Sequence, residues 1–535
     1  MKRGAVAVCA MLLCSKIALA QPDRRAVGRE PSRDAPGVTP VDQAPRSTAE
    51  APDREVRFGG FLRTRGDYGH GWDLNRGPTP SGAPFWPAPY TDRGLGRSLT
   101  NLDMRLRLDT TVEVGWGVTL FTRLHVLDNL RFGSLPDADL PGVAVNQRSP
   151  DRPIDVRQAY GSVLLPFGVL SAGRMGALID WGTGFFLNAG NGIDDDFGDV
   201  GDRIAFTTPL AGMLWTAVYE VASSGPSTEA VRPDIRPALD LDPSDDTRTV
   251  AFSVARWDNA AARQRRLQAS RTAINFGLLG AWRWQEWDLA PGTSPSPRSA
   301  QRRDLGAFLA DAWARVDLGR FTFEAEVAFL GFSLGNASLD PAITVNSAIS
   351  GQQLGGLAKL EWRASPRWYA RLEAGFASGD DRPGFGARVA SAAPPRAGDL
   401  DGAQFDLTRT PRDSDIQNFR FHPNYRIDLL LFRRLLGTVT DAGYLRPMVR
   451  WRFAGMFTAE AAVVASTALQ PNSTPSGRAP LGVEADLALT YEQEHGFFSR
   501  LDYGLLIPLS GLRNEPRGID PSVAHALHLV LAWRL

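Results

Sequence analysis

Residues 102–114 read LDMRLRLDTTVEV, with Leu102, Met104, Leu106, Leu108, Val112 and Val114 on one parity and Asp103, Arg105, Arg107, Asp109 and Glu113 on the other. Successive side chains of a strand point to opposite faces, so this strand has one apolar and one ionic face. A turn around Gly115-Trp116-Gly117 leads into VTLFTRLHV, where Val118, Leu120, Leu124 and Val126 alternate with Thr119, Arg123 and His125. The two segments predict a hairpin. The same alternation recurs at 321–329, 354–362, 368–376 and 481–491. Strands of soluble sandwiches average ~5 to 6 residues. These run to about ten or more, the length that crosses a bilayer when tilted.

The connections alternate as well. Short ones are expected at 115–117, 166–168, 210–212, 318–320, 365–367, 454–455 and 494–496, and long polar ones at 69–98, 129–153, 176–201, 223–246 and 379–443. Short turns on one rim and long loops on the other are the pattern of a transmembrane barrel, with the short turns periplasmic and the long loops extracellular. One short-side connection departs from it, the basic segment 258–271, DNAAARQRRLQASR, which reads as a helix. The strand count comes to about 18 (range 16 to 20) if 425–436 is left out, which gives the even number a closed barrel needs. Ile427, Leu430, Leu431 and Leu435 fit a helical face, so that segment is expected as a short helix in a long excursion, tucked into the barrel. The predicted fold is an all-β, antiparallel up-and-down transmembrane barrel over 56–535.

The first twenty residues, MKRGAVAVCAMLLCSKIALA, read as a cleavable secretory signal, with a basic start, an apolar stretch and an Ala18-Leu19-Ala20 end. Residues 21–55 are rich in Pro, Ala, Arg, Asp and Ser and read as a disordered linker. Cys9 and Cys14 both fall in the signal, so disulfides and cysteine-held metals are excluded from the mature chain. Loss of Lys2, Arg3 and Lys16 with the signal leaves a slight excess of acid over base, from 59 of each in the full chain. Nucleic acid is therefore not an expected partner.

At the chain end, ALHLVLAWRL places Leu527, Leu529, Leu531, Trp533 and Leu535 at every second position. This resembles the C-terminal assembly signal of bacterial outer-membrane proteins, with Leu535 where that signal usually has Phe. The stretches GRMGALIDWGTGFFLN (173–188) and FRFHPNYRIDLLLFRRLLG (419–437) resemble outer-membrane porin-like proteins. They look like an outer-membrane barrel family of myxobacteria and are distantly similar to alginate-export-type channels. The resemblance spans about 56–535 and implies a fold, a Gram-negative outer-membrane location, contact with outer-membrane lipid and lipopolysaccharide, and recognition of the last strand by the assembly machinery. It brings no substrate. The arginine-dominated lumen of alginate-type channels is not matched by the mixed-sign faces of this chain.

The densest charge is at 191–203, NGIDDDFGDVGDR, with Asp194, Asp195, Asp196, Asp199 and Asp202. It fails the EF-hand spacing, because Gly198 takes the fifth position from Asp194 and Asp199 takes the glycine slot. The barrel map makes it the third long loop. In general porins that loop folds into the lumen and its acids face arginines across a constriction. Arg105, Arg107, Arg123 and Arg174, read as lumen-facing, could supply the other side. A solvated loop with Arg203 as counter-ion is the alternative.

His70, His125, His422, His495, His525 and His528 form no metal-spaced pair, and His525 and His528 fall on opposite strand faces. No HExxH, GxSxG or phosphate-binding loop occurs, and no cofactor is expected. The sequence reading is a non-enzymatic channel for passive diffusion of small polar or charged solutes. The rivals are a barrel plugged by residues 380–443, with a structural or surface role, and a barrel lipid hydrolase using a serine near His125 or His528.

Overall fold

The computed structural model describes residues 55–82, 97–115, 117–132, 154–177, 182–222, 231–232, 239–240, 244–289, 300–337, 348–385, 396–400, 404–407, 412–493 and 496–535. The predicted signal, all but the last residue of the linker, and the connection centres at 133–153, 223–230 and 386–395 lie outside them.

The chain forms an 18-stranded barrel in which sequence neighbours pair antiparallel. Its strands run from 8 to 19 residues. Closure comes from the first strand (Glu55–His70) pairing with the last (Ala524–Arg534), from Phe61 opposite Arg534 to His70 opposite His525. A small hairpin of Val231–Arg232 and Leu239–Asp240 stands apart from this sheet. Glu55, assigned to the linker on composition, opens the first strand because it pairs with Glu113 of the second (Ser98–Gly115).

Strand parity separates two environments. In the eleventh strand (Phe321–Leu334), Phe321, Phe323 and Val327 are exposed on the outside, while Thr322, Glu324 and Glu326 are buried within. In the twelfth (Ile349–Trp362), Leu354, Leu360 and Trp362 face out while Lys359 and Glu361 face in. An apolar exterior around an ionic interior is a soluble fold inverted, and it suits a lipid surround. No helix of the described residues is long and apolar enough to cross a membrane. Near the short-turn rim Trp368 stacks on Trp451 at 5.5 Å, with Phe453, Phe457, Tyr491, Phe497 and Trp533 continuing the row. This is the girdle expected at a membrane interface.

The short connections at 166–168, 210–212, 318–320, 365–367 and 454–455 fall where the sequence put them, while residue 116 and residues 494–495 of the other two lie outside the described residues. Between the sixth strand (Gly201–Leu210) and the seventh (Met213–Ala222), Ala211 and Gly212 have φ of 55° and 75°. Positive φ at both turn positions matches the twist of the strands they join. The basic connection forms the helix Ala260–Gln268, capped by the Asn259 side chain, which accepts from Ala262 N. Arg263 tethers it to the lumen-facing Asp317 at 3.5 Å.

The excursion at 425–436 is inside the barrel and contains the short helix the sequence suggested, Leu431–Leu435, wound more widely than an α-helix. Leu435 N and Leu436 N donate to Leu430 O and Leu431 O, five residues back. Two carboxylates hold the turn open. Glu484 accepts from the backbone N–H of Leu429, Leu430 and Leu431 at 2.8, 2.7 and 2.9 Å, and Asp428 accepts from Phe432 N and Arg433 N. Its apolar side chains, with Phe185, Phe385, Phe419 and Phe421, form a core within the bore. At Gly355 a Cβ would lie 2.3 Å from the Phe419 ring, so the wall has no side chain where this core leans on it.

An arginine on the lipid face costs about 2–4 kcal/mol at the bilayer midplane and about 0–1 near the interfaces. Val327 lies mid-strand and Val56 at a strand end, both facing out. Val327→Arg is expected to lower stability by about 2–4 kcal/mol and Val56→Arg by no more than about 1, measured by urea unfolding in phospholipid vesicles.

Candidate functional site

The loop joining the fifth strand (Gly168–Met175) to the sixth crosses the bore. At Thr183 its backbone N–H donates to Glu326 of the eleventh strand. A Cβ on Gly182 would lie 2.8 Å from the same carboxylate, so glycine permits the approach. Phe185 then enters the apolar core, 4.7 Å edge-on from Phe421, and its carbonyl accepts from His422 N at 2.6 Å. Residues 191–197 finally reach the wall of the first three strands, the third being Val118–Arg131, about half-way round the barrel from the eleventh.

There the loop meets arginines directly. Arg65 Nη1 donates to Asp194 Oδ1 at 3.1 Å and Asp196 Oδ2 at 2.7 Å, while its Nε holds Asp103 at 3.0 Å. Arg63, fully buried, donates to Ile193 O at 3.1 Å and lies 3.5 Å from Asp196. Arg105 Nη2 reaches Asp196 Oδ1 at 3.2 Å and also pairs with Asp128. Arg107 and Arg123 share Asp109 and use their remaining nitrogens on Asn191, at its O (2.9 Å) and Oδ1 (2.7 Å). Planar guanidinium donors suit such bridging of several acceptors.

The inner segment closes over the other side of the loop. Arg426 pairs with Asp194 and lies 3.4 Å from Asp196, and Arg433 Nη2 donates to Asp194 Oδ2 at 2.9 Å. Asn424 holds the next turn by donating to Phe197 O at 2.8 Å and accepting from the Asp196 and Phe197 N–H groups. His528, from the last strand, bridges Asp67 at 2.7 Å and Asp194 at 3.1 Å. Loop, inner segment and wall thus form one ionic network.

Burial alone would raise the Asp194 carboxyl, but Arg426, His528 and Arg433 hold it well below the usual carboxylate range. Asp196 is likewise opposed by burial and brought down to about 2 by Arg65, Arg426 and Arg63. Burial, with Arg426 beside it, brings the Arg433 guanidinium down to about 9. Removing one member of such a network strands its partners. A lone buried charge left behind typically costs about 3–5 kcal/mol.

The sequence-predicted residues divide into two groups. Arg105, Arg107 and Arg123 face inward and meet the loop at Asp196 and Asn191, while Asp194 is held by Arg65, Arg426, Arg433 and His528. Asp195 instead shapes the loop, accepting from Gly192 N at 2.7 Å, and Asp199 accepts from Asn188 N and lies 3.7 Å from His422. Arg174 and Asp202 do not belong to the cluster. They pair with each other at 2.8 Å on the outer face, half-exposed, because Arg174 shares parity with exposed Leu170 and Asp202 with exposed Ile204. Nor do the acids face arginines over a gap, since the two charge sets are in contact. The sequence reading missed Arg63, Arg65, Arg426, Arg433 and His528. For Arg63 and Arg65 a signal existed, since both share the parity of buried Phe61 in RFGGFLRTRG.

No family model matches the chain, and none of the curated proteins matches it. Among solved structures it is similar to OpdK of Pseudomonas aeruginosa, an outer membrane protein, at 12% identity, covering 90% of this chain and 98% of that one with a TM-score of 0.43. OmpT of Vibrio cholerae is similar at 9% identity over 91% and 99%, TM-score 0.37. The outer membrane channel DcaP of Acinetobacter baumannii is similar at 10% identity over 90% and 97%, TM-score 0.36. The architecture itself rests on the strand pairing given above.

A carboxyl whose folded pKa is depressed stabilises the fold above its unfolded value, near 4, and loses that contribution as pH falls through the folded one. With Asp196 brought down to about 2, the loop is expected to stay docked from neutral pH to about 4 and to loosen towards pH 2. A spin label on Phe197→Cys, which faces solvent, reports this as narrowing of its spectrum. In an Asp196→Asn background the loosening is expected to be present already at neutral pH.

Proposed function

We propose that the protein is an outer-membrane channel through which small polar or charged solutes diffuse, along a path displaced to one side of the bore. The supporting observation is the uneven filling of the lumen by the described residues. The loop and inner segment lean on the arginine cluster of the first strands, on Glu326 of the eleventh, on Glu373 of the thirteenth (Trp368–Ala377) and on Glu484 of the sixteenth (Pro480–Glu492).

The wall of strands six to nine, with the eighth at Thr247–Arg256 and the ninth at Ala273–Leu289, is different. There Arg203 and Arg283 flank Glu220 at 2.6 and 3.0 Å, and Arg283 also donates to Thr249 Oγ1 at 2.9 Å. The outward-facing neighbours of these residues are Ile204, Tyr219, Val250 and Trp282, so the ionic group points inward. Arg283 remains about half-exposed there, at 51%. A hydrated ionic group on an otherwise small-residue wall can replace part of a solute's hydration without trapping it.

A second reading, a closed barrel with a structural or surface role, is favoured by one observation. The core of Phe185, Phe421, Leu430, Phe432 and Leu435 is that of a packed protein interior, and a dry core does not conduct. The hydrolase reading has little support. The serine–histidine pair present, Ser98 with His70 at 2.9 Å, uses the imidazole Nδ1, and no carboxylate orients that ring among the described residues. His528 is instead committed to the ionic network and His125 lies 3.4 Å from Asp128.

Planar-bilayer recording of the purified barrel separates the readings, because a protein that inserts without any conductance step is a closed barrel. For an open path, Glu220→Gln is expected to shift selectivity towards anions by severalfold. Asp194→Asn with Asp195→Asn and Asp196→Asn is expected to shift it the same way, by releasing arginines that the loop now neutralises. Recovery of the protein in a detergent-free periplasmic fraction would dismiss the outer-membrane location.

A further inference from the structure

The outer face of the barrel has a groove of about 590 Å³ across strands nine (Ala273–Leu289), ten (Ala300–Leu318), eleven and twelve. Missing side chains create it. Gly331 sits opposite Phe308, and Gly306 opposite Trp284, both on the outward parity. Trp282 and Phe308, each about half-exposed, form the sides with Phe329.

The groove changes chemistry along the barrel axis. Strand eleven rises from the short-turn rim, so Phe329, Gly331 and Ser333 are successive outward steps towards the long-loop rim. Next to Ser333 lie Ser350 and Gln352 of strand twelve, and Ser350 Oγ donates to Asp415 Oδ1 at 2.9 Å. The lower end is aromatic and the upper end offers hydroxyls, an amide and a carboxylate.

The geometry points to a site for one outer-leaflet glycolipid, with an acyl chain along Phe308, Gly331 and Phe329 and its sugar hydroxyls or acyl amide on Ser333, Ser350 and Gln352. This deepens the outer-membrane reading and rests on it. Continuity with the lipid-facing band places an acyl chain at the lower end. The polarity change argues for an amphiphile standing along the membrane normal, since a second protein copy would not require apolar and polar ends in that order. The carboxylate of Asp415 and the serine hydroxyls accept from sugar hydroxyls and acyl-amide N–H groups, donors that a phosphoglyceride with ester-linked chains supplies in smaller number. Hydroxyls and amides can satisfy the serines and glutamine without a charge partner.

The test is native mass spectrometry of the full barrel in detergent with either Kdo2-lipid A or dioleoyl phosphatidylglycerol added at equal concentration. One retained lipid A is expected, bound at least tenfold more tightly than the phosphatidylglycerol. Gly331→Leu, which fills the groove, is expected to reduce retention at least tenfold while heat-modifiable migration shows an intact barrel. If Gly331→Leu fails to fold, Ser333→Ala with Gln352→Ala, which leaves the shape unchanged, is expected to reduce retention at least threefold. Equal retention by the variants, equal binding of the two lipids, or an oligomer that the filled groove dissociates would each overturn the proposal. A barrel that conducts but retains no lipid A sinks the groove alone. One that retains lipid A but never conducts leaves the groove standing and removes the channel.

Discussion

Everything else in this structure depends on the pairing of the first strand with the last. Closure removes the unpaired backbone edges that hydrocarbon does not tolerate, and it fixes a bore wider than wall side chains can fill. The inward parity of each strand must then be wetted, paired or covered. This chain uses all three. Charged wall residues pair across strands, an apolar core covers part of the wall, and the Glu220 group stays open to water.

The interior is layered in an order that electrostatics explains. Charges sit against the wall of the first strands, where Arg63 and Arg65 reach carboxylates and loop carbonyls, and the apolar side chains pack on the wall from the eleventh strand to the last. The acidic loop is the joint between the layers. Its carboxylates neutralise wall arginines on one face and Arg426 and Arg433 on the other. That arrangement explains why dense acid occurs in a loop with no metal-binding spacing.

Much of the fold was legible because it follows from local rules. Period-two alternation, turn glycines and the parity argument located the strands, their count and the excursion. What failed was non-local or weakly anchored. Arg174 follows Ser171, Ala172 and Gly173 in a strand of 8 residues, and such small side chains fix no parity, so its face was misread. Arg65 lies 129 residues from Asp194 in the chain, and no local pattern announces that pair. The short inner helix was legible from its Leu positions, but its anchor was not, because Glu484, contributed from a distant strand, accepts from the N–H groups of Leu429, Leu430 and Leu431 at its start.

That last contact also ties the filling to the wall. The inner segment precedes the fourteenth strand (Ala442–Ala454), whereas Glu484 belongs to the sixteenth (Pro480–Glu492). Without Glu484 the backbone donors at 429–431 lose the carboxylate that accepts from them, and leaving them bare in a dry place is costly. Filling and wall are therefore one cooperative unit, in which the segment docks where distant strands bring Glu484 and His528 to meet it.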